Sequence, residues 1–285
     1  MKTIKYFLQF IIIITFFFIF KLIGIKLALI ISDNLVKILG PMFRSKKIIK
    51  KNLINAMPNV SDKEIKIITK NMWGNYGKIL AEYVFLKDFR KSNFKNKINI
   101  KGQEILENIK RNKEPVIFVS GHFNNFELMA MHIEDSGVNL AAIYRPLNNK
   151  FLNFIMEKIR KKYICQNQIK KGISGTKQLL SFFKNKTSIA LMIDQRVSEG
   201  IRTEFFKRKA YTTTIPAQFV KKFNCKVVPI YIERKSNNFQ LSISNPIQFG
   251  REDSIESITQ QLNSILEKMI LRNPEQWIWS HNRWK

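Results

Sequence analysis

The chain has 285 residues, enough for one large domain or two small ones. Lys and Arg number 49 against 21 Asp and Glu, and the resulting +28 favours an anionic partner: nucleic acid, an anionic membrane face or an acidic protein. The two cysteines, Cys165 and Cys225, are too few for a disulfide framework, and no Cys/His cluster offers a zinc site.

The first element is apolar. Residues 7–20 read FLQFIIIITFFFIF, with only Gln9 and Thr15 polar. As a helix this run spans roughly 21 Å, short of the ~30 Å hydrocarbon core of a bilayer. Extending it from Tyr6 to Ile25 restores the length if Lys21 reaches toward the headgroups. No small-x-small cleavage site follows, and Lys21 and Lys26 interrupt the sequel, which argues against a removed signal peptide. The consecutive Ile and Phe residues leave no polar face for a core helix. The expected reading is an uncleaved anchor over residues 1–26, spanning or deeply embedded, followed by a body over 27–285. The basic residues after it, from Lys21 to Lys51, place that body on the cytoplasmic side. Within them RSKKIIKK (44–51) reads as a solvated basic face near headgroups.

A helical lead-in over about 27–96 comes next. LALIISDNLVKILG (27–40) has helical apolar spacing, and Gly40-Pro41 is a stop signal. Ser61 with Glu64 forms a capping-box pattern for the following helix. KDFRKSNFKNK (87–97) reads as a surface connection. From about residue 97, short apolar runs alternate with amphipathic stretches. The runs are INIKG, PVIFVS, VNLAAIY, TSIALMID, KVVPIYIE and FQLSIS, and helices are expected from about 125 and near 149–162, 175–185, 215–223 and 253–271. This alternation predicts an α/β domain with a mainly parallel central sheet flanked by helices. In such sheets ligands bind beyond the carboxyl ends of the strands.

At one such end PVIFVS runs into GHFNNFE (121–127). His122 and Glu127 are five apart, about 140° around a regular helix, so they meet only if His122 lies in the turn and Glu127 in the helix's first turn. A neutral imidazole takes a proton from a hydroxyl near neutral pH, and a carboxylate behind it stabilises the imidazolium. His132 and His281 read as structural.

GHFNNFE resembles the H-x-x-x-x-D/E signature of glycerolipid acyltransferases, and most closely the GHFGNWE of the late acyltransferases of lipid A biosynthesis, the lauroyl and myristoyl transferases. The resemblance covers nearly the whole chain. After the anchor it takes in Asn52-Leu53 with Pro58, then Glu82, then YRPLNNK (144–150) and DQR (194–196). Gly200 with Phe205-Phe206, TTTIPA (212–217) and PEQWIWSHNRWK (274–285) follow in the family's order. Asn124 stands where glycine is usual and Phe126 where tryptophan is usual.

The resemblance implies a glycerolipid-acyltransferase-like fold and transfer of a fatty acyl chain from acyl carrier protein to a hydroxyl of a Kdo-bearing lipid A precursor, at the bacterial inner membrane. It implies His122 as general base, Glu127 as its orienting carboxylate and Arg145 as a ligand of phosphate or of the thioester carbonyl. Asp194 would order Arg145 or Arg196. Asn125 reads as a helix cap or a substrate ligand, and Trp277, Trp279 and Trp284 as packing or membrane-interface residues. Neither a G-x-S-x-G elbow nor a positioned cysteine marks an acyl-enzyme nucleophile. No Walker loop or dinucleotide fingerprint is present, and no metal or cofactor is expected. A phospholipid or mannolipid acceptor is the nearest alternative. A non-catalytic, basic, membrane-anchored binding protein is the more distant one. Nucleic acid is not expected as a partner, because the basic runs are scattered and match no binding module.

Overall fold

The computed structural model describes residues 2–91 and 94–285. It begins with α1 (Lys2–Phe43), a long helix broken at Gly24, whose φ of 77° and ψ of 165° leave the helical region. Glycine adopts that conformation without a Cβ clash. The second half of α1 runs through Pro41 instead of stopping there. It packs on α3 (Asp62–Tyr83), which opens on the expected capping box: Glu64 N–H donates to Ser61 Oγ while Ser61 N–H donates to the Glu64 carboxylate. The two helices approach so closely that a Cβ on Gly77 would lie 2.0 Å from the Ser32 carbonyl oxygen.

Between them lies α2 (Lys46–Ala56), whose lysines are largely exposed while Ile49 and Leu53 are buried. The stretch expected as a surface connection starts instead in a short helix, α4 (Leu86–Arg90), with Leu86 and Phe89 in the core. Residues 92–93 of that stretch lie outside the described residues.

The body is built from β1 (Ile98–Lys101), α5 (Gln103–Asn112), β2 (Ile117–Ser120), α6 (Glu127–Asp135), β3 (Leu140–Tyr144) and α7 (Lys150–Tyr163). Then come β4 (Asn167–Lys170), α8 (Ile173–Lys184), β5 (Ser188–Met192), α9 (Ile215–Phe223), β8 (Val227–Lys235), β9 (Asn238–Ile243) and α10 (Ile255–Arg272). A separate antiparallel hairpin, β6 (Ile201–Phe205) with β7 (Arg208–Thr212), is inserted before α9.

The central sheet has the order β1-β9-β8-β2-β5-β3-β4, and only the β8–β9 pair is antiparallel. All four β2 residues are buried, as expected of a central strand covered on both faces. Sequence patterning did not reveal β4 or the hairpin. β4 is short and polar, and the hairpin carries charges on its outer positions. Cys165 and Cys225 are free and buried.

Candidate active site

The carboxyl ends of β2 and β5 create the site. Ser120 pairs in register with Met192. Two residues beyond each lie His122 and Asp194, so adjacent parallel strands deliver the imidazole and the carboxylate side by side. Asp194 Oδ1 lies 2.8 Å from His122 Nδ1, and Asp194 Oδ2 accepts the His122 backbone N–H at 2.9 Å. Trp277 Nε1–H donates to the same Oδ2 at 2.9 Å. Asp194 is fully buried and can only accept, so the ring proton sits on Nδ1 and leaves the Nε2 lone pair free. The His122 side chain keeps 24% of its exposure.

Electrostatics follow from this pairing. Burial opposes ionisation of Asp194, but the charge and hydrogen bonds of His122 outweigh it and hold the carboxyl below its usual range. Burial likewise opposes protonation of His122, but Asp194, with a smaller contribution from Glu127, lifts the imidazole above its ordinary 6.5.

The expected His122–Glu127 hydrogen bond is absent among the described residues. Glu127, the first residue of α6, is buried and turned to a different partner. Its Oε1 accepts from Arg160 Nε at 2.8 Å and Arg160 Nη2 at 2.5 Å, and from the Tyr83 hydroxyl. Arg160 projects from α7 and its side chain is 11% exposed. Burial opposes its charge, but Glu127 and Tyr83 more than compensate and raise its pKa further. The Glu127–Arg160 pair is close enough to act on the imidazole, Glu127 favouring its protonation and Arg160 opposing it. Asp194 is the partner of Nδ1 because the adjacent strand end places it there, and the glutamate is already committed to a guanidinium.

The loop carrying His122 is clamped from four sides. Asn124 takes a left-handed backbone (φ 42°) and is buried. Asparagine tolerates that conformation better than most residues, which accounts for its occupying a glycine position. Its N–H donates to the Gln276 carbonyl, and its side-chain amide donates to Asn75 and Gln276 and accepts from Arg234. Asn125 does not cap α6. It is wholly buried and donates to Glu82, which is ion-paired with Arg234 at 2.6 Å. Phe126, at the tryptophan position, packs edge-on to the His122 ring with centroids 4.9 Å apart.

Arg145 and Arg196 lie on the loops beyond the carboxyl ends of β3 and β5. Asp194 orders neither Arg145 nor Arg196, because His122 and Trp277 occupy it. Arg145 is exposed on the loop after β3 and makes no hydrogen bond or ion pair among the described residues. Arg196 donates through Nε to the Lys285 carbonyl at 3.0 Å and lies over the Tyr211 ring. Trp277 and Trp279 are core residues packed ring against ring, which settles them as packing and hydrogen-bonding groups.

Sequence reasoning missed Arg160, Tyr83 and the hydrogen-bonding role of Trp277. Arg160 lies in the run RKK, which looks like a solvated basic face. The available signal was helical phase: Met156 and Ile159 pack on the core beside it, so Arg160 lies near the inward stripe.

The family model for bacterial lipid A biosynthesis acyltransferases matches residues 1–285. The lipid A biosynthesis acyltransferase 2 of Shigella flexneri is 23% identical over 236 residues, covering 80% of this chain and 74% of that protein. The lipid A biosynthesis myristoyltransferase of Escherichia coli K12 is 23% identical over 249 residues, 85% of this chain and 75% of the relative. The lauroyltransferase of the same organism is 24% identical over 254 residues, 86% and 80%. With a family match that runs the length of the chain and a histidine–aspartate pair at the mouth of a parallel sheet, the chain belongs to the bacterial lipid A biosynthesis acyltransferase family and is an acyltransferase of lipid A.

Proposed function

We propose that the chain moves a fatty acyl group from an acyl carrier protein thioester to a hydroxyl of a Kdo-bearing lipid A precursor, by direct attack and without an acyl-enzyme. His122 Nε2 takes the hydroxyl proton as the oxygen attacks the thioester carbonyl carbon. The tetrahedral intermediate collapses, the carbon–sulfur bond breaks, and the proton on His122 passes to the leaving thiolate. Asp194 holds the ring in the tautomer that leaves Nε2 free and stabilises the imidazolium. Glu127 fixes Arg160, whose positive charge favours the developing oxyanion. Arg145 and Arg196 on the strand-end loops meet acceptor phosphate or carboxylate, and Asn125 holds the His122 loop.

The observation that carries this reading is the free Nε2 of a partly exposed histidine backed by a buried carboxylate. The net charge of +28 supports both an anionic glycolipid and an acidic carrier protein as partners. The basic residues after the apolar segment support a body on the cytoplasmic side of the inner membrane.

The test incubates membranes containing the protein with acyl carrier protein thioesters of several lengths and, in parallel, with the matching coenzyme A thioesters. Lipid A precursor and phospholipid are offered as acceptors, and products are read by mass spectrometry. Acylated precursor is expected. Transfer to phospholipid alone, or transfer only from coenzyme A thioesters, overturns the acceptor or donor assignment.

A further inference from the structure

The apolar first half of α1 does not project from the body. One helical stripe, Tyr6, Phe10, Ile13, Phe17 and Phe20, is wholly or partly covered, and its spacing of three and four residues is that of a single face. Both ends of this half are tied down. The Tyr6 carbonyl accepts from Asn149 Nδ2 at 2.8 Å, and Phe7 and Phe10 pack against Phe151 at the start of α7. Lys21 is ion-paired with Asp88 of α4 at 2.8 Å and lies over the Phe85 ring. The faces turned away from the body are apolar and open, with Leu8 57%, Ile12 56%, Phe18 64% and Leu22 70% exposed.

These two ties are incompatible with a helix standing along the bilayer normal. Tyr6 and Lys21 are 15 residues apart, about 22 Å along the axis. With Lys21 and Asp88 at the headgroups, a perpendicular helix would carry Asn149 and its exposed neighbours Arg145 and Lys150 deep into hydrocarbon. Charged groups on a loop are not tolerated there. Both ties fit at once if the helix lies along the surface.

We infer that residues 2–23 lie in the plane of the membrane, half-immersed, and form with the start of α7 one monotopic face that seats on an anionic bilayer. The body supplies the helix's polar side, and lipid covers the open apolar side. Phe154 on α7, at 58% exposure, and Leu147 on the loop before it, at 38%, extend this face. Lys2, Lys5, Lys21, Lys26 and Lys150 border it and meet anionic headgroups. Because α7 follows the loop at the carboxyl end of β3, this face adjoins the loop that carries Arg145. A lipid acceptor reaches His122 without leaving the bilayer.

The inference rests on the membrane association proposed above but not on the acyl transfer, and its test does not use activity. Thr3→Cys and, on the body, Lys63→Cys are treated with a membrane-impermeant maleimide in sealed inverted vesicles and in intact spheroplasts. Cys165 and Cys225 are buried and do not interfere. Labelling of both introduced cysteines in inverted vesicles and of neither in spheroplasts is expected. Thr3→Cys reacting from the face opposite Lys63→Cys overturns the inference while leaving membrane association intact.

A depth measurement covers the case in which Thr3→Cys is shielded. Spin labels at Ile12→Cys and Phe154→Cys are compared in phosphatidylglycerol-containing vesicles. Similar depths, within about 10 Å of the headgroup boundary, are expected. A label at Ile12→Cys in the bilayer centre with Phe154→Cys in water overturns the inference. A protein that remains in the aqueous fraction removes both it and the membrane reading.

Discussion

Asp194 holds His122 twice, through the ring at 2.8 Å and through the backbone N–H at 2.9 Å, so a single carboxylate sets both the tautomer and the position of the imidazole. Replacing Asp194 with Asn keeps the shape but offers an amide that can donate to Nδ1. The ring then moves its proton to Nε2 and cannot act as a base. A fall in kcat of about 10²–10⁴ is expected, with little change in KM. Single-turnover acyl transfer separates this from a loss of substrate binding.

The pH dependence follows from the same pair. As the base of the proposed reaction His122 must be neutral to accept a proton, and burial is outweighed by Asp194 so that its pKa lies above 6.5. Activity should therefore fall on the acid side with a midpoint above 6.5, and residual activity in Asp194→Asn should show that limb shifted downward. The stability effect has the opposite sense. Protonation of a group whose folded pKa is raised stabilises the fold, a contribution fully present below about 6.5 and lost as pH rises through the folded value. Denaturant midpoints of wild type and His122→Gln should converge at alkaline pH.

Glu127 bonds to Arg160 and not to His122, so in the proposed reaction it works through the guanidinium. Glu127→Gln leaves the guanidinium without its charged partner, 2.5 Å from the substituted atom. A loss of about 10²-fold in kcat is expected from misplacing a group close to the reacting atoms. Because Glu127 contributes only secondarily to the His122 pKa, the acid limb should move less than in Asp194→Asn. Equal shifts in the two variants would mean that the carboxylates share one role.

The difference between these carboxylates explains what the sequence made legible. His122 in a turn after an apolar strand, and Glu127 at the next helix start, follow from strand-turn-helix patterning. So does Asp194 at the end of SIALMI. Which carboxylate meets the imidazole depends on β2 and β5 being neighbours in register, a long-range fact that no local spacing contains. Trp277 reaches Asp194 across 83 positions and Arg234 reaches Asn124 across 110, for the same reason. The capping box at Ser61, by contrast, is set within four residues and was fully readable.

The ion pair of Glu82 and Arg234 should be a structural requirement of the His122 loop. Both side chains are almost fully buried, 2.6 Å apart, and each also bonds to an asparagine of the loop. Arg234→Met leaves a buried carboxylate without its countercharge, a loss of about 3–5 kcal/mol. The double variant Glu82→Met/Arg234→Met removes both charges and should recover part of that loss. Urea unfolding in detergent checks this, and a double variant no more stable than Arg234→Met would show that the pair is not the unit that matters.

The seam between α1 and α3 supplies the last prediction. Gly77 faces the Ser32 carbonyl, and an added Cβ would come within 2.0 Å of that backbone oxygen, which no side-chain rotation relieves. Gly77→Ala therefore pushes the helices apart along a buried line that includes Ala28 and Trp73. Helix propensity alone would favour alanine by about 1 kcal/mol. Overpacking costs about 1–3 kcal/mol, so the sign of the net effect is set by the seam. A lower melting temperature for Gly77→Ala, with acyl transfer per folded molecule retained, is expected. A rise would mean that the helices separate without cost and that α1 is held elsewhere, by the Asn149 and Asp88 ties.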